Sequence, residues 1–276
     1  MNSALWNPVT PFVQLYRHRT LFRQFARRAI EARHRGSFLG LFWTVLAPMI
    51  SLAIYTFVFG FVFTGRFTPS QSESTLDYAL GAFVGLILFN FLSEVLSQSP
   101  LTIVVQPNFV KKVVFPLEVL PASTVGSAAF SAGISLALAL TGIALFGPGL
   151  DAHAFWILAI VPPVAMIAFG CAWLFSALGV FIRDIASVMP FVSQVLMFMS
   201  AVFYPVTFLD KAPLWAQKIL FANPLLHAVV SARDAVLFHQ SPAIPSVLYL
   251  WLCGVLVYFV GFLTFRKLRP AFADVI

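Results

Sequence analysis

Six stretches of the chain, residues 39–63, 78–96, 122–146, 154–181, 188–208 and 247–265, hold between them one charged side chain, Glu94. A helix of about 20 apolar residues spans the hydrocarbon of a bilayer, where every backbone N–H and C=O must find its partner inside the protein. A helix meets that demand by itself, so the pattern predicts six transmembrane helices. Composition agrees: 60% of the 276 residues are hydrophobic and 10% charged, where a soluble domain carries about 25% charge. The expected fold is an all-α membrane protein in a single domain, residues 1–276. No cleavable leader is expected, because the first apolar run follows a strongly basic segment and is too long for one.

The segments between the runs set the topology. Over residues 15–35, Leu15, Leu21, Phe22, Phe25, Ala26, Ala29 and Ala32 share one helical face. Arg17, Arg23, Arg27, Arg28, Glu31 and Arg35 lie opposite, while Arg19 and Arg33 intrude on the apolar side. Such a helix lies in the plane of the interface or serves as a positive-inside signal, and both can hold. Residues 97–121 form a polar connection with adjacent Lys111 and Lys112, which must stay out of lipid. Residues 210–240 hold two short apolar pieces joined by Ala222-Asn223-Pro224. Neither piece is long enough to cross, so the segment is a re-entrant hairpin sheltered by protein or a loop with two interfacial helices. Of the 17 lysines and arginines, 13 fall on the side holding both termini, residues 97–121 and residues 182–187. That bias predicts cytoplasmic termini. The formal charge of +7 follows this topology rather than a nucleic-acid footprint, so no nucleic acid is expected.

Catalytic chemistry is hard to place in this sequence. It has no Gly-x-x-x-x-Gly-Lys-Ser/Thr to cradle nucleotide phosphates, no His-Glu-x-x-His, and five histidines scattered over terminus, loop and hairpin. Cys171 and Cys253 stand alone in apolar runs, so neither a disulfide nor a metal site is expected. No cofactor and no catalytic residue is assigned. Glu94 sits close to a helix end, where it reaches water more readily than it marks a proton path. A polar cytoplasmic segment in a chain without its own ATP site then becomes the expected contact for a separate motor. Ser123, Ser127, Ser131 and Ser135 repeat every fourth residue, a stripe suited to close helix packing. Aromatics offer the other feature: Trp43, Tyr55, Phe59 and Phe63 line one stripe with Ala47 and Ser51, and Phe198, Phe203 and Tyr204 follow in the fifth run. Such rings stack on sugars or simply face lipid.

Several blocks in order resemble one family. Phe38-Leu-Gly-Leu-Phe-Trp-Thr-Val-Leu-Ala-Pro48 after a basic helix is similar to the start of type-2 ATP-binding-cassette exporter permeases for polysaccharides. So are Asn108-Phe-Val-Lys-Lys-Val-Val-Phe-Pro116 with Leu120-Pro121, Phe181-Ile-Arg-Asp-Ile185, Ser200-Ala-Val-Phe-Tyr-Pro205, and Asn223-Pro-Leu-Leu-His with Arg233-Asp234. The resemblance covers residues 12–270. It implies a multi-pass permease of the bacterial inner membrane, a homodimer working with two copies of a cytoplasmic ATPase. The cargo it implies is a lipid-linked polysaccharide such as O-antigen, capsule or teichoic acid. It also implies that residues 15–35 are an interface helix and 97–121 a coupling segment, with Arg27, Arg28, Glu31, Asn108, Phe109, Lys111 and Lys112 facing the ATPase. Trp43, Tyr55, Phe59, Phe63, Phe198, Phe203 and Tyr204 would line the sugar path, and Asn223, Pro224 and Arg233 would belong to an outer gate hairpin between helices five and six. Where relatives place a basic residue after Phe-Pro, this chain has Leu117 before Glu118. The alternatives are a small-lipid or drug exporter of the same architecture, a membrane-embedded glycan polymerase, and a gradient-driven carrier.

Overall fold

A computed structural model describes residues 10–33, 38–58, 67, 74–111 and 115–276. Its α-helices are α1 (Thr10–Arg17), α2 (Arg19–Arg33), α3 (Trp43–Tyr55), α4 (Thr75–Gln98), α5 (Pro107–Lys111), α6 (Val119–Phe146), α7 (Ile157–Phe181), α8 (Ile185–Met199), α9 (Leu214–Phe221), α10 (Pro224–Val236), α11 (Ile244–Leu268) and α12 (Phe272–Val275). Short 3-10 turns extend or join several of them. Four described helices, Thr75–Leu101, Val119–Phe146, Ala152–Phe181 and Ile244–Val275, are long and apolar enough to cross a membrane. Trp43–Val58 and Ile185–Met199 are apolar but shorter.

α4 is the central post. Its start is a capping box: the Ser74 hydroxyl accepts from the Asp77 N–H at 3.1 Å, and the Asp77 carboxylate accepts from the Ser74 N–H at 3.0 Å. Those bonds satisfy donors that the first turn cannot satisfy itself. From Tyr78 to Leu96 nearly every side chain is buried, as expected of a helix apolar all round. Around it pack α3, α6, α7, α8 and α10.

α7 and α11 form the tightest helix pair. A Cβ on Gly261 would overlap the Gly170 carbonyl, one on Gly170 the Val257 carbonyl, and one on Gly254 would lie 2.9 Å from the Pro163 carbonyl oxygen. Without side chains at these crossings the two backbones approach directly, the usual device for helix association in lipid. Pro162-Pro163, where an interruption is expected, leaves α7 continuous. Pro163 has no N–H for the Ala159 carbonyl, four residues back; Trp251 of α11 donates its indole N–H there instead, at 3.0 Å.

The fifth apolar run, 188–208, is not one helix. α8 ends at Met199, Ala201 takes a positive φ of 50°, and the chain resumes as a 3-10 helix from Val206 to Lys211. A second apolar core, separate from the one around α4, lies at the end that carries α1, α2, α5 and α12, and centres on Trp173, Phe262, Phe265 and Phe272. Near the other end of the bundle, Asp151 in the turn before α7 meets two imidazoles. His153 Nδ1 lies 2.6 Å from one carboxylate oxygen and His239 Nδ1 3.2 Å from the other. The hydrogen bond from His153, helped by the nearby His239 imidazole, holds the Asp151 carboxyl below its ordinary 3.8, at about 2.

Candidate functional site

Two arrangements gather the residues singled out by sequence. The first is a groove of about 480 Å³ between α2, the end of α4, α5 and the start of α6, lined by Phe25, Arg28, Gln98, Gln106, Asn108 and Thr124 among others. α2 reaches it by resting on α6, where a Cβ added at Gly126 would come within 2.8 Å of the Phe22 ring. α5 has only five residues and buries none of them completely. It is held through its rings: Phe109 packs on Phe25 of α2 at 5.5 Å and on Phe115 at 4.8 Å, and Phe25 and Phe115 stand 5.3 Å apart. Three phenylalanines from separate segments thus bind α2, α5 and the approach to α6 into one unit.

On that unit Asn108, Lys111 and Arg28 are exposed. Arg27 is spent on Glu31 one turn along, 2.8 Å away, with both side chains largely in solvent, a pair worth only about 0.3–0.5 kcal/mol. Lys112 lies outside the described residues. A cationic, amide-rich rim over an aromatic floor can seat a ridge of another protein. Behind it, Arg33 turns inward, which accounts for its place on the apolar face of the helix. It pairs with Glu94 of α4 and donates to the Ser131 hydroxyl at 3.1 Å. Glu94 therefore anchors α2, and Ser131 of the serine stripe receives that anchor.

Next to this anchor a cleft of about 290 Å³ opens between α3, α4 and α6, lined by Trp43, Ala47, Ser51, Asn90, Ser131 and Ser135 among others. Ser123 and Ser127 lie buried at the other end of the stripe. Of the aromatics singled out by sequence, Trp43 thus borders this cleft, whereas Tyr55 packs on Phe203 at 5.7 Å. Phe59 and Phe63 lie outside the described residues. Phe198 projects from α8 and is 59% exposed.

The second arrangement is the end of α8. A helix that stops inside an apolar run leaves its last carbonyls without N–H partners. Here side chains supply the donors. Tyr204 donates to the Phe198 carbonyl at 2.6 Å, Asn223 to Met199 at 3.1 Å, and Tyr78 to Phe203 at 2.6 Å. Arg233 donates to both Ala201 and Val202, at 3.0 and 3.1 Å. Its guanidinium lies 3.5 Å over the Phe67 ring, and only 3% of the residue is exposed. Gly81 and Gly85 of α4 let the neighbours of Arg233 pack closely, because a Cβ would stand 3.0 Å from the Phe67 ring at the first and 3.0 Å from Val229 at the second. Asn223 works twice, since its side-chain oxygen also accepts from the Leu225 N–H at 3.0 Å and caps α10. Pro224 follows at the first helical position, where a missing N–H costs nothing. Asn223, Pro224 and Arg233 therefore converge on one break.

Sequence reasoning passed over Tyr78, Phe67, Gly81 and Gly85 at this break. The available signal was a tyrosine and small residues at the head of a span, which resembles an ordinary interfacial belt. It also left Glu118 without a partner. Arg269 provides one at 2.7 Å.

A family model described as "ABC-2 type transporter" matches residues 20–237. The chain is 25% identical over 266 residues to the "O-antigen export system permease protein RfbA" of Myxococcus xanthus, covering 95% of this chain and 97% of that protein. It is 24% identical over 253 residues to a protein of the same name from Klebsiella pneumoniae, covering 90% and 91% of the two chains. It is 26% identical over 244 residues to the "Inner membrane transport permease YadH" of Escherichia coli strain K12, covering 85% and 90%.

Proposed function

The chain belongs to the ABC-2 type transporter family, and within it we propose that this protein is the permease subunit of an ATP-driven exporter of lipid-linked polysaccharide, with O-antigen as the cargo. The observation that carries this reading is similarity to O-antigen export permeases along almost the whole of both chains. The sequence holds no phosphate-binding loop of its own, so hydrolysis belongs to a separate cytoplasmic ATPase, present in two copies beside a permease homodimer in the inner membrane.

In this reading both termini are cytoplasmic and the chain crosses six times, with α3 and α8 as the cores of the first and fifth crossings. The ATPase docks on the groove between α2 and α5, meeting Arg28, Asn108 and Lys111. Arg27, Glu31, Phe109 and Lys112 support that contact. A push on α5 passes through Phe109, Phe25 and Phe115 into α2 and α6. The aromatic side chains of α3 and α8, together with Phe203 and Tyr204, border the sugar path. α9 and α10 form the outer gate hairpin, re-entrant and sheltered by α4, α7 and α11, and Asn223, Pro224 and Arg233 hold it to the broken fifth helix. Transport of this kind requires the ATPase to bind two permease conformations with different affinity.

Deletion of the gene followed by location of the glycan tests the assignment. Lipid-linked polymer trapped on the cytoplasmic side supports export, whereas unchanged surface polymer sinks it. Reversing the charge of Lys111 and Lys112 is expected to impair ATP-coupled export while leaving membrane insertion intact. A second reading, export of a small lipid or drug, is favoured by similarity to a relative named only as a transport permease. It predicts that surface polymer survives deletion while efflux of a small amphiphile is lost.

A further inference from the structure

α5 buries none of its five residues completely, and beside its ring contact with α2 it is tied through Phe109 and Phe115 to the segment that follows. That segment is anchored by the far end of the chain. Arg269 spreads its two terminal nitrogens over two targets: Nη1 donates to the Glu118 carboxylate at 2.7 Å, and Nη2 donates to the Phe115 carbonyl at 3.2 Å. Glu118 heads α6, and its side chain is only 7% exposed. The Glu118 backbone carbonyl accepts the indole N–H of Trp173, a fully buried side chain of α7, at 3.0 Å. Beyond Arg269, Phe272 is fully buried, 5.5 Å from Phe265 of α11 and 6.1 Å from Phe181 of α7. α12 itself packs on α5 and α7.

From these contacts we infer that the carboxy-terminal segment is a working part of the coupling apparatus. Arg269 is the positioning residue that passes displacement of residues 107–111 and 115–118 into α6, α7 and α11 together. The inference rests on the exporter reading and extends it to a segment beyond residue 237, where the family match ends. The physical reason is stiffness. A planar guanidinium fork fixes a carboxylate and a carbonyl in one geometry, and the flexible ammonium of lysine cannot hold both in that way. Phe115 is thereby locked to Glu118 across Pro116 and Leu117. The ring of Phe115 meets Phe109 of α5 on one side, while Glu118 meets three long helices on the other.

The test uses the full permease with its ATPase in proteoliposomes, loaded with the lipid-linked glycan that the wild type exports. ATP hydrolysis and glycan export are measured on the same preparation. Arg269→Lys and Arg269→Gln are expected to keep hydrolysis within about twofold of wild type while export falls about tenfold, a loss in the range of ordinary coupling energies. Glu118→Gln is expected to do the same. The decisive quantity is glycan exported per ATP, which a merely structural role would leave unchanged. An unchanged ratio in all three variants overturns the inference, as does a parallel fall of both rates. Failure of Arg269→Lys to assemble, with its charge retained, assigns Arg269 to folding alone and also overturns it. Failure of the exporter reading is a different result: the wild type itself then exports no glycan with any ATPase.

Discussion

Arg233 is a demanding residue, a buried cation that donates to two backbone carbonyls beyond the end of α8. Replacing it with alanine leaves the Ala201 and Val202 carbonyls without their donor, and an unsatisfied buried polar group costs about 1–3 kcal/mol. Thermal unfolding in detergent is expected to move down accordingly, and an unchanged midpoint would count against the clamp. Asp151 gives a second test. Its folded pKa of about 2 lies below the ordinary 3.8, so its contacts with His153 and His239 add stability above pH 3.8. That stability is lost as pH falls through 2. A carboxyl titration of Asp151 by NMR should show a midpoint near 2, and a midpoint near 3.8 would refute the contact. Arg33 marks how far residue-level reading reaches. Its place on an apolar helical face is visible in sequence, but Glu94, 61 positions away, could be found only once α2 and α4 were packed.

Among the elements, the long helices were the most legible part of the chain, because 25 uncharged residues in lipid have almost no other way to satisfy their backbone. The end of α8 was legible only in part, because Pro205 signals a break near the end of the run but not the stop at Met199. Ser200 to Phe208 stays free of charge, and the donors that permit the break come from 24 to 125 residues away, except for Ser200 and Tyr204. The doubled proline of α7 misled in the opposite direction. A tryptophan on another helix repairs the carbonyl that Pro163 leaves open, so local sequence signals a break that tertiary contact removes. The α7–α11 crossing yields an internal contrast. Gly261→Ala forces a methyl into the Gly170 backbone, and such overpacking costs about 1–3 kcal/mol. Gly133→Ala in α6 meets nothing within 4 Å and is expected to be neutral or to gain about 0.5–1 kcal/mol from helix propensity. Equal melting temperatures for the two variants would refute the close approach.

At the scale of the whole molecule, two apolar stripes lie open. Ile50, Ile54 and Phe57 form one on the helix Trp43–Val58, and Phe191, Val195 and Phe198 another on α8. In the proposed homodimer these stripes face the second copy. Single cysteines at positions 54 and 195, in a background without Cys171 and Cys253, are expected to cross-link between protomers in native membranes. Monomers at every position tested along both stripes would refute that arrangement. The broken fifth helix also bears on biogenesis. Residues 185–203 are synthesised before Asn223 and Arg233, so the carbonyls of Met199, Ala201 and Val202 are made ahead of their donors. Until α10 arrives, this end must remain with water, lipid headgroups or an insertion factor. A released chain truncated before residue 223 is therefore expected to stay bound to the insertion machinery or be degraded, whereas one truncated after residue 240 can close the break.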